Sequence, residues 1–181
     1  MASAISHPAA VLALRPWLGE AVSGPRAVVL AAVCSIAPDA DAIGFWMGVP
    51  YDSPLGHRGL THSIAFALAI AAAVVAIGFP RARPAVALFG FLFLCTASHG
   101  LFDAMTDGGL GVAFWAPFDN TRYFLPWRPI HVSPFSLTGF FGARGLEILG
   151  SEVVAIWIPC LALGALGWGV RASIRRSKSH A

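Results

Sequence analysis

The chain has 181 residues, of which 57% are hydrophobic and only 12% charged, well below the roughly 25% charge of a soluble domain. A mean hydropathy of +0.72 excludes an ordinary water-soluble fold and predicts a membrane protein, and the length suits one membrane-embedded domain, residues 1–181, rather than two. The net charge of +3 does not argue for nucleic acid, because much of the basic charge stands in short clusters beside apolar runs, where it sets orientation and meets the headgroups of membrane lipids.

In chain order, residues 3–14 are apolar apart from His7 and stop at Arg15-Pro16; the run is too short to cross a bilayer, which takes about 20 helical residues. No basic segment precedes the apolar part, so a cleaved signal peptide is not expected. Residues 25–37 predict a second short helix, with Pro25 in its first turn and Pro38 closing it. Residues 43–52 read as interfacial loop. Thr61 is the expected N-cap of a helix over 64–79. The sequence Pro80-Arg81-Ala82-Arg83-Pro84 breaks the chain, and residues 85–105 return as the second arm of a hairpin. Residues 106–151, rich in Gly, Pro and aromatics, predict an ordered interfacial loop with a brief helix around 144–149. A last apolar helix covers 153–170, and the basic tail 171–181 is expected to fray. The predicted fold class is all-α: a polytopic helical membrane protein with about three full spans (64–79, 85–105 and 153–170), two short N-terminal helices and a long interfacial loop. Cys34, Cys95 and Cys160 each sit alone inside an apolar segment and read as small core residues, not as a disulfide framework or thiolate ligands.

Lys and Arg are retained on the cytoplasmic side of a membrane. Arg81, Arg83, Arg171, Arg175, Arg176 and Lys178 fall on one face of the predicted topology, joined by Arg15 and Arg26. That face is expected to be cytoplasmic. The other face, toward the periplasm in a bacterial inner membrane, holds nearly every carboxylate, His57, His62, His99 and His131, and also Arg58, Arg122, Arg128 and Arg144.

Three polar groupings stand out where apolar segments begin or end. His57 and His62 flank a Gly-containing turn with Arg58 between them, and each ring can donate a nitrogen to Zn, Mn or Fe. His99 and Asp103, four apart on a predicted helix, project from one face, with Thr106 and Asp107 extending the stripe. Charged groups in such an apolar helix cost about 2.5–3.5 kcal/mol each near mid-membrane unless partners or water reach them. Asp39 and Asp41 flank Ala40 after Pro38 and can converge on a shared cation. Each has a plainer reading as a solvated helix end, an ordinary loop or an interfacial histidine. Together they offer nitrogen and oxygen donors and no thiolate, a set suited to one or two divalent ions that activate water and polarise an ester or phosphoryl oxygen. Arg58 and Arg122 are candidate guanidinium groups for the charge that develops, since the planar fork matches phosphate; Arg122 and Arg128 equally suit interfacial packing against neighbouring aromatics.

Read as a set, Pro38-Asp39-Ala40-Asp41, His57-Arg58-Gly59-Leu60-Thr61-His62-Ser63 and Ser98-His99-Gly100-Leu101-Phe102-Asp103, followed by Thr106 and Gly109, resemble the YdjM-like family of LexA-binding or inner-membrane-associated proteins regarded as metal-dependent hydrolases. The likeness covers the first two-thirds of the chain. It implies metal-ligand roles for His7, Asp39, Asp41, His57, His62, His99 and Asp103, and it extends to the segment 122–126. Gly145-Leu146-Glu147 resembles a later Glu-bearing motif, which gives Glu147 a role in the site. Ala42 departs from the pattern, where a further polar residue is usual. His131 and His180 have no counterpart and no assigned part.

The leading expectation is a membrane-bound metal-dependent hydrolase, with zinc as the foremost cofactor and manganese or iron as substitutes. Its substrate would be an amphiphilic phosphoester or lipid-linked ester. A metal-tied scaffold or stress-response protein is the alternative. A metal-ion transporter ranks last, because residues 64–79 and 153–170 carry almost no polar groups to line a path.

Overall fold

The computed structural model describes residues 1–19, 22, 24–81, 84–134, 140 and 142–179. Helices follow in the order α1 (Ala9–Leu14), α2 (Pro25–Ile36), α3 (Ile43–Trp46), α4 (Ile64–Gly78), α5 (Ala85–Ala104), α6 (Ala143–Glu152) and α7 (Ile158–Ser179). Short 3-10 turns cover Arg15–Trp17, Ala37–Ala42 and Leu60–His62, and a π turn at Val153–Trp157 joins α6 to α7. No strand forms among the described residues, so the all-α class holds. Arg83 of the basic face, and His180, lie outside the described residues.

Three helical stretches are long and apolar enough to cross a membrane, as expected, but they are not the same three: Pro25–Trp46, Ala85–Ala104 and Arg144–Ser179. Pro38 does not end the first. Lacking an N–H, it breaks the α-helical ladder, yet its fixed φ suits the first turn of the tighter Ala37–Ala42 helix, which carries the chain on into α3. By contrast α4 has 15 residues, short of a full span. Its N-cap is Ser63, whose hydroxyl accepts the Phe66 N–H at 3.1 Å; Thr61, expected there, is engaged elsewhere. The last helix begins before residue 153 and stays helical to Ser179, so the tail does not fray at 171.

Both α2 and α4 pack along α5, and α1 packs along α7. Small residues permit this. Ala27, Ala31, Ala71, Cys34 and Cys95 fill one core with Phe91 and Leu92, while Ala9, Ala10, Ala13 and Cys160 fill the other with Phe102 and Ile156. All three cysteines are buried and free. Alternating helix directions gather the start of α1, the end of α2, the start of α4, the end of α5 and the Glu152 turn at one end of the bundle. Residues 105–134 cover that end through isolated bridges at Thr106–Ile130 and Val112–Tyr123, with Ala113 N–H on the Arg58 carbonyl at 3.0 Å and Ile64 N–H on the Phe114 carbonyl at 3.0 Å.

Candidate metal centre

The loop before α4 is wound so tightly that its glycines are obligatory. A Cβ on Gly56 would stand 2.3 Å from the carbonyls of Pro50 and Tyr51, and one on Gly59 would meet the Pro54 carbonyl at 2.3 Å. Arg122 holds this coil from outside, donating to the carbonyls of His57 (2.7 Å), Tyr51 (2.8 Å) and Ser53 (3.1 Å). Arg58, at φ 63, turns its side chain into the bundle, where it is fully buried. Gly100 completes the fit: a Cβ there would lie 2.8 Å from the His62 carbonyl, so its absence lets the Leu60–His62 turn rest on α5 beside His99.

Asp41 organises the rings. One oxygen lies 2.7 Å from His57 Nδ1; the other accepts from the Thr61 hydroxyl at 2.5 Å and the Arg58 N–H at 3.2 Å, and lies 3.1 Å from His62 Nδ1. A carboxylate only accepts, so both Nδ1 atoms carry the proton. His99 Nδ1 lies 2.8 Å from the Ser35 carbonyl, which imposes the same tautomer. In their neutral form all three rings present Nε2 as a lone pair, whereas a protonated His62 would donate Nε2–H to its neighbours. The Nε2 atoms of His62 and His99 face each other at 3.1 Å.

Carboxylates stand around that pair. Asp39 Oδ1 is 3.3 Å from His99 Nε2 and 3.8 Å from His62 Nε2, and Asp103 Oδ2 is 3.4 Å from His62 Nε2. Asp39, His57, His62 and Asp103 bring one ligand atom each within 4.8 Å of one another, and His7, His99 and Asp103 form a second such group. Asp103 is common to both. Its Oδ1 accepts the Ala2 N–H at 2.7 Å, and its Oδ2 accepts Arg58 Nε at 3.0 Å. Both ring nitrogens of His7 and both oxygens of Asp39 are buried without a hydrogen bond among the described residues, an arrangement that asks for a partner.

Burial works against charge here and the carboxylates work for it. Desolvation drives the His62 imidazolium down, but hydrogen bonds to Asp103 and Asp41 outweigh it and lift the pKa to about 9. At His7 desolvation wins, assisted by His99, and the pKa falls to about 3. Among the side chains, three carboxylates oppose the single guanidinium of Arg58, so the cluster with neutral rings is short of positive charge. A cation fits that deficit.

Four of the expected site residues stand apart from the converging ligand atoms or have their side chains engaged elsewhere. Asp41 supports the His57 and His62 rings from behind and is not among the converging ligand atoms. Arg58 spends its fork on Asp103, on Thr106 Oγ1 at 2.9 Å and on the Gly108 carbonyl at 2.9 Å, while Arg122 is occupied with backbone carbonyls; neither is a free fork aimed at a substrate. Glu147 stands exposed on α6, and among the described residues no hydrogen bond or ion pair joins it to the cluster.

Glu152 is the carboxylate that the sequence reading missed. Fully buried, it accepts from the Ser3 N–H, from the Ser3 hydroxyl at 2.5 Å and from the Ser6 hydroxyl at 2.7 Å, and Trp157 Nε1 donates to Ser6 Oγ at 2.9 Å. These bonds hold residues 2–7 as a strap that delivers the Ala2 N–H and the His7 ring to Asp103. A lone carboxylate at the head of an apolar run was the available signal.

Residues 2–174 match the pattern of the YdjM inner membrane protein family, a span that includes every residue of the cluster. The chain belongs to that family. Inner membrane protein YbcI of Escherichia coli (strain K12) is 36% identical over 170 residues, 93% of this chain and 98% of YbcI. No solved structure matches the chain. Membership of the YdjM family agrees with the three apolar helices and makes the chain an inner membrane protein. The buried His and Asp cluster of this family member is a possible metal-binding site.

Proposed function

We propose that this YdjM family member is a metal-dependent hydrolase whose cluster binds one or two divalent ions, zinc foremost, with manganese or iron suited to the same donors. The observation that carries the reading is the facing pair of His62 and His99 Nε2 atoms, 3.1 Å apart, with both Nδ1 atoms committed to acceptors. Facing lone pairs are satisfied either by a shared proton or by a cation between them, and ligand bonds of about 2.1 Å in tetrahedral geometry would set neighbouring nitrogens about 3.4 Å apart, close to the spacing seen. Asp103 belongs to both ligand groups and would help hold an ion at either.

A divalent ion held there supplies activated water at neutral pH and polarises a phosphoryl or acyl oxygen. The chain's own residues fix the rest. Asp41 and the Ser35 carbonyl lock the ring tautomers, the kind of outer support that orients metal ligands. Arg58 and the Ala2 N–H hold Asp103, and Glu152 holds the strap that carries His7.

Asp39 supports an approach from the lipid side. Its side chain keeps 9% exposure and lines a cleft of about 420 Å³ whose other walls are Val33, Ile36, Ala37 and Ala40. That apolar lining favours an amphiphilic phosphoester or lipid-linked ester whose tail stays in hydrocarbon. The basic residues at the opposite end of the bundle favour a cluster on the outer side of the inner membrane. A structural ion in a membrane scaffold is the second reading, favoured by the near-complete burial of the cluster and by arginines engaged within the protein.

The test is metal analysis of detergent-purified protein together with a phosphoester and lipid-ester hydrolysis panel, on wild type, His99→Ala and Asp103→Ala. Stoichiometric metal and turnover in wild type, both lost in the variants, is the expected result. Stoichiometric metal with no turnover across the panel favours the scaffold. Metal retained by both variants ends the assignment of these ligands.

A further inference from the structure

At the end of the bundle remote from the histidine cluster lies a pocket of about 450 Å³ lined by Arg15, Pro16, Trp168, Arg171, Ala172 and Arg175. Its construction begins with two glycines of α7. A Cβ on Gly164 would meet the Leu12 carbonyl at 2.5 Å, and one on Gly167 would stand 2.6 Å from Trp17 Nε1, so their absence lets α1 and the Arg15–Trp17 turn lie directly on α7. Trp17 Nε1 fixes this contact by donating to the Leu163 carbonyl at 3.1 Å. Pro16 then turns the chain and Leu18 becomes extended, leaving a recess between the turn and the next part of α7. Among the described residues, neither Arg15 nor Arg171 has a carboxylate within ion-pair distance. The guanidinium groups of Arg15 and Arg171 both line this recess.

Depth identifies the class of occupant. Along the continuous Arg144–Ser179 helix, Arg171 lies about 28 Å from Glu152 at ~1.5 Å per residue, close to one hydrocarbon thickness of about 30 Å. The pocket therefore sits at the membrane interface opposite the cluster. Trp168, 72% exposed at its edge, is of the residue type found at headgroup level. Toward the bilayer centre the same helix exposes Leu163 and Leu166. We propose that this pocket binds the phosphate of an anionic phospholipid headgroup, the guanidinium groups of Arg15 and Arg171 taking the phosphate oxygens and the exposed leucines lying along the acyl chains. Arg matches phosphate in fork geometry, and basic recesses between transmembrane helices are suited to anionic headgroups.

Native mass spectrometry of the full chain released from detergent tests this, with phosphatidylglycerol, phosphatidylcholine of the same acyl chains, and inorganic phosphate as probes. Wild type is expected to retain phosphatidylglycerol over phosphatidylcholine, and each of Arg15→Gln and Arg171→Gln to reduce that preference about fivefold. The double variant should abolish it, whereas Arg171→Lys should keep part of it and Arg128→Gln, which sits over Phe124, should leave it intact. Single variants and the lysine variant preserve the test if the double variant does not fold. Equal retention of the two lipids, or a preference unchanged by Arg15→Gln and Arg171→Gln, overturns the proposal. Displacement of phosphatidylglycerol by millimolar inorganic phosphate overturns the lipid assignment in favour of a soluble anion. None of these readouts involves the histidine cluster.

Discussion

His7 and His99, from the first turn of the chain and the fifth helix, stack with ring centroids 3.6 Å apart and planes 13° from parallel. The stack fixes the His7 ring plane, yet neither of its nitrogens has a hydrogen bond among the described residues. Packing and ligation can therefore be separated at this residue. His7→Phe keeps an aromatic ring against His99 and Phe102 and removes both nitrogens, so thermal stability should change by about 1 kcal/mol or less while metal content falls. Metal content equal to wild type would remove His7 from the ligand set.

Asp41 and His62 should respond differently. Asp41→Asn replaces one of the two acceptor oxygens by a donor, so only one of the two ring tautomers stays fixed while the converging atoms remain in place, which should weaken metal binding about 10–100-fold without abolishing it. His62→Ala deletes a ligand atom and should abolish binding at its group. Metal titration followed by calorimetry distinguishes them, and equal, complete loss in both would return Asp41 to the position of a direct ligand.

Glu152→Ala leaves the Ser3 N–H and the Ser3 and Ser6 hydroxyls without their acceptor in a buried place. The expected cost is about 1–3 kcal/mol, with residues 1–7 becoming open to protease. Glu147→Ala, on the exposed face of α6, should alter stability by less than about 0.5 kcal/mol. Denaturation in detergent and limited proteolysis compare the two; the reverse ranking would show that the wrong glutamate has been placed in the site.

Acid stability should report a pair outside the cluster. Slight burial would raise the Asp107 pKa, but the hydrogen bond with His131 at 2.8 Å and the Val132 N–H at 2.8 Å more than offset it and hold the carboxyl below the usual range. A carboxyl depressed in the folded state stabilises fully above its unfolded pKa of about 3.9, and that contribution disappears as pH falls through the folded value. Asp107→Asn should therefore flatten the melting temperature against pH below about 4. An acid limb identical to wild type would show that the pair is too solvent-screened to matter.

Much of the cluster was legible because polar residues are costly at the ends of apolar helices: His99 and Asp103 stood out by that cost, His57 and His62 by their pairing around Arg58, and the family resemblance joined them into one set. The all-α class followed from composition in the same way. What the sequence did not disclose depends on tertiary contact. Asp41 was assigned ligation because carboxylate spacing does not reveal which donors occupy its oxygens. Arg58 and Arg122 suggested phosphate chemistry because a guanidinium fork looks the same whether it meets a substrate or a backbone carbonyl. Pro38 was read as a stop, although proline also starts a tighter helix, and this hid the first span. Glu152 was passed over because its partners are serines at the other end of the chain.

That link between Ser3 and Glu152 has a consequence for biogenesis. Residues 2–7 cannot take up their final position until Glu152 has left the ribosome and its helix has entered the bilayer, so the nascent protein must hold that segment in reserve until then. On the proposed metal-binding reading, ion loading would be deferred until that helix has inserted, and a chain stalled before it would carry most of the candidate ligands without a finished cage to put them in.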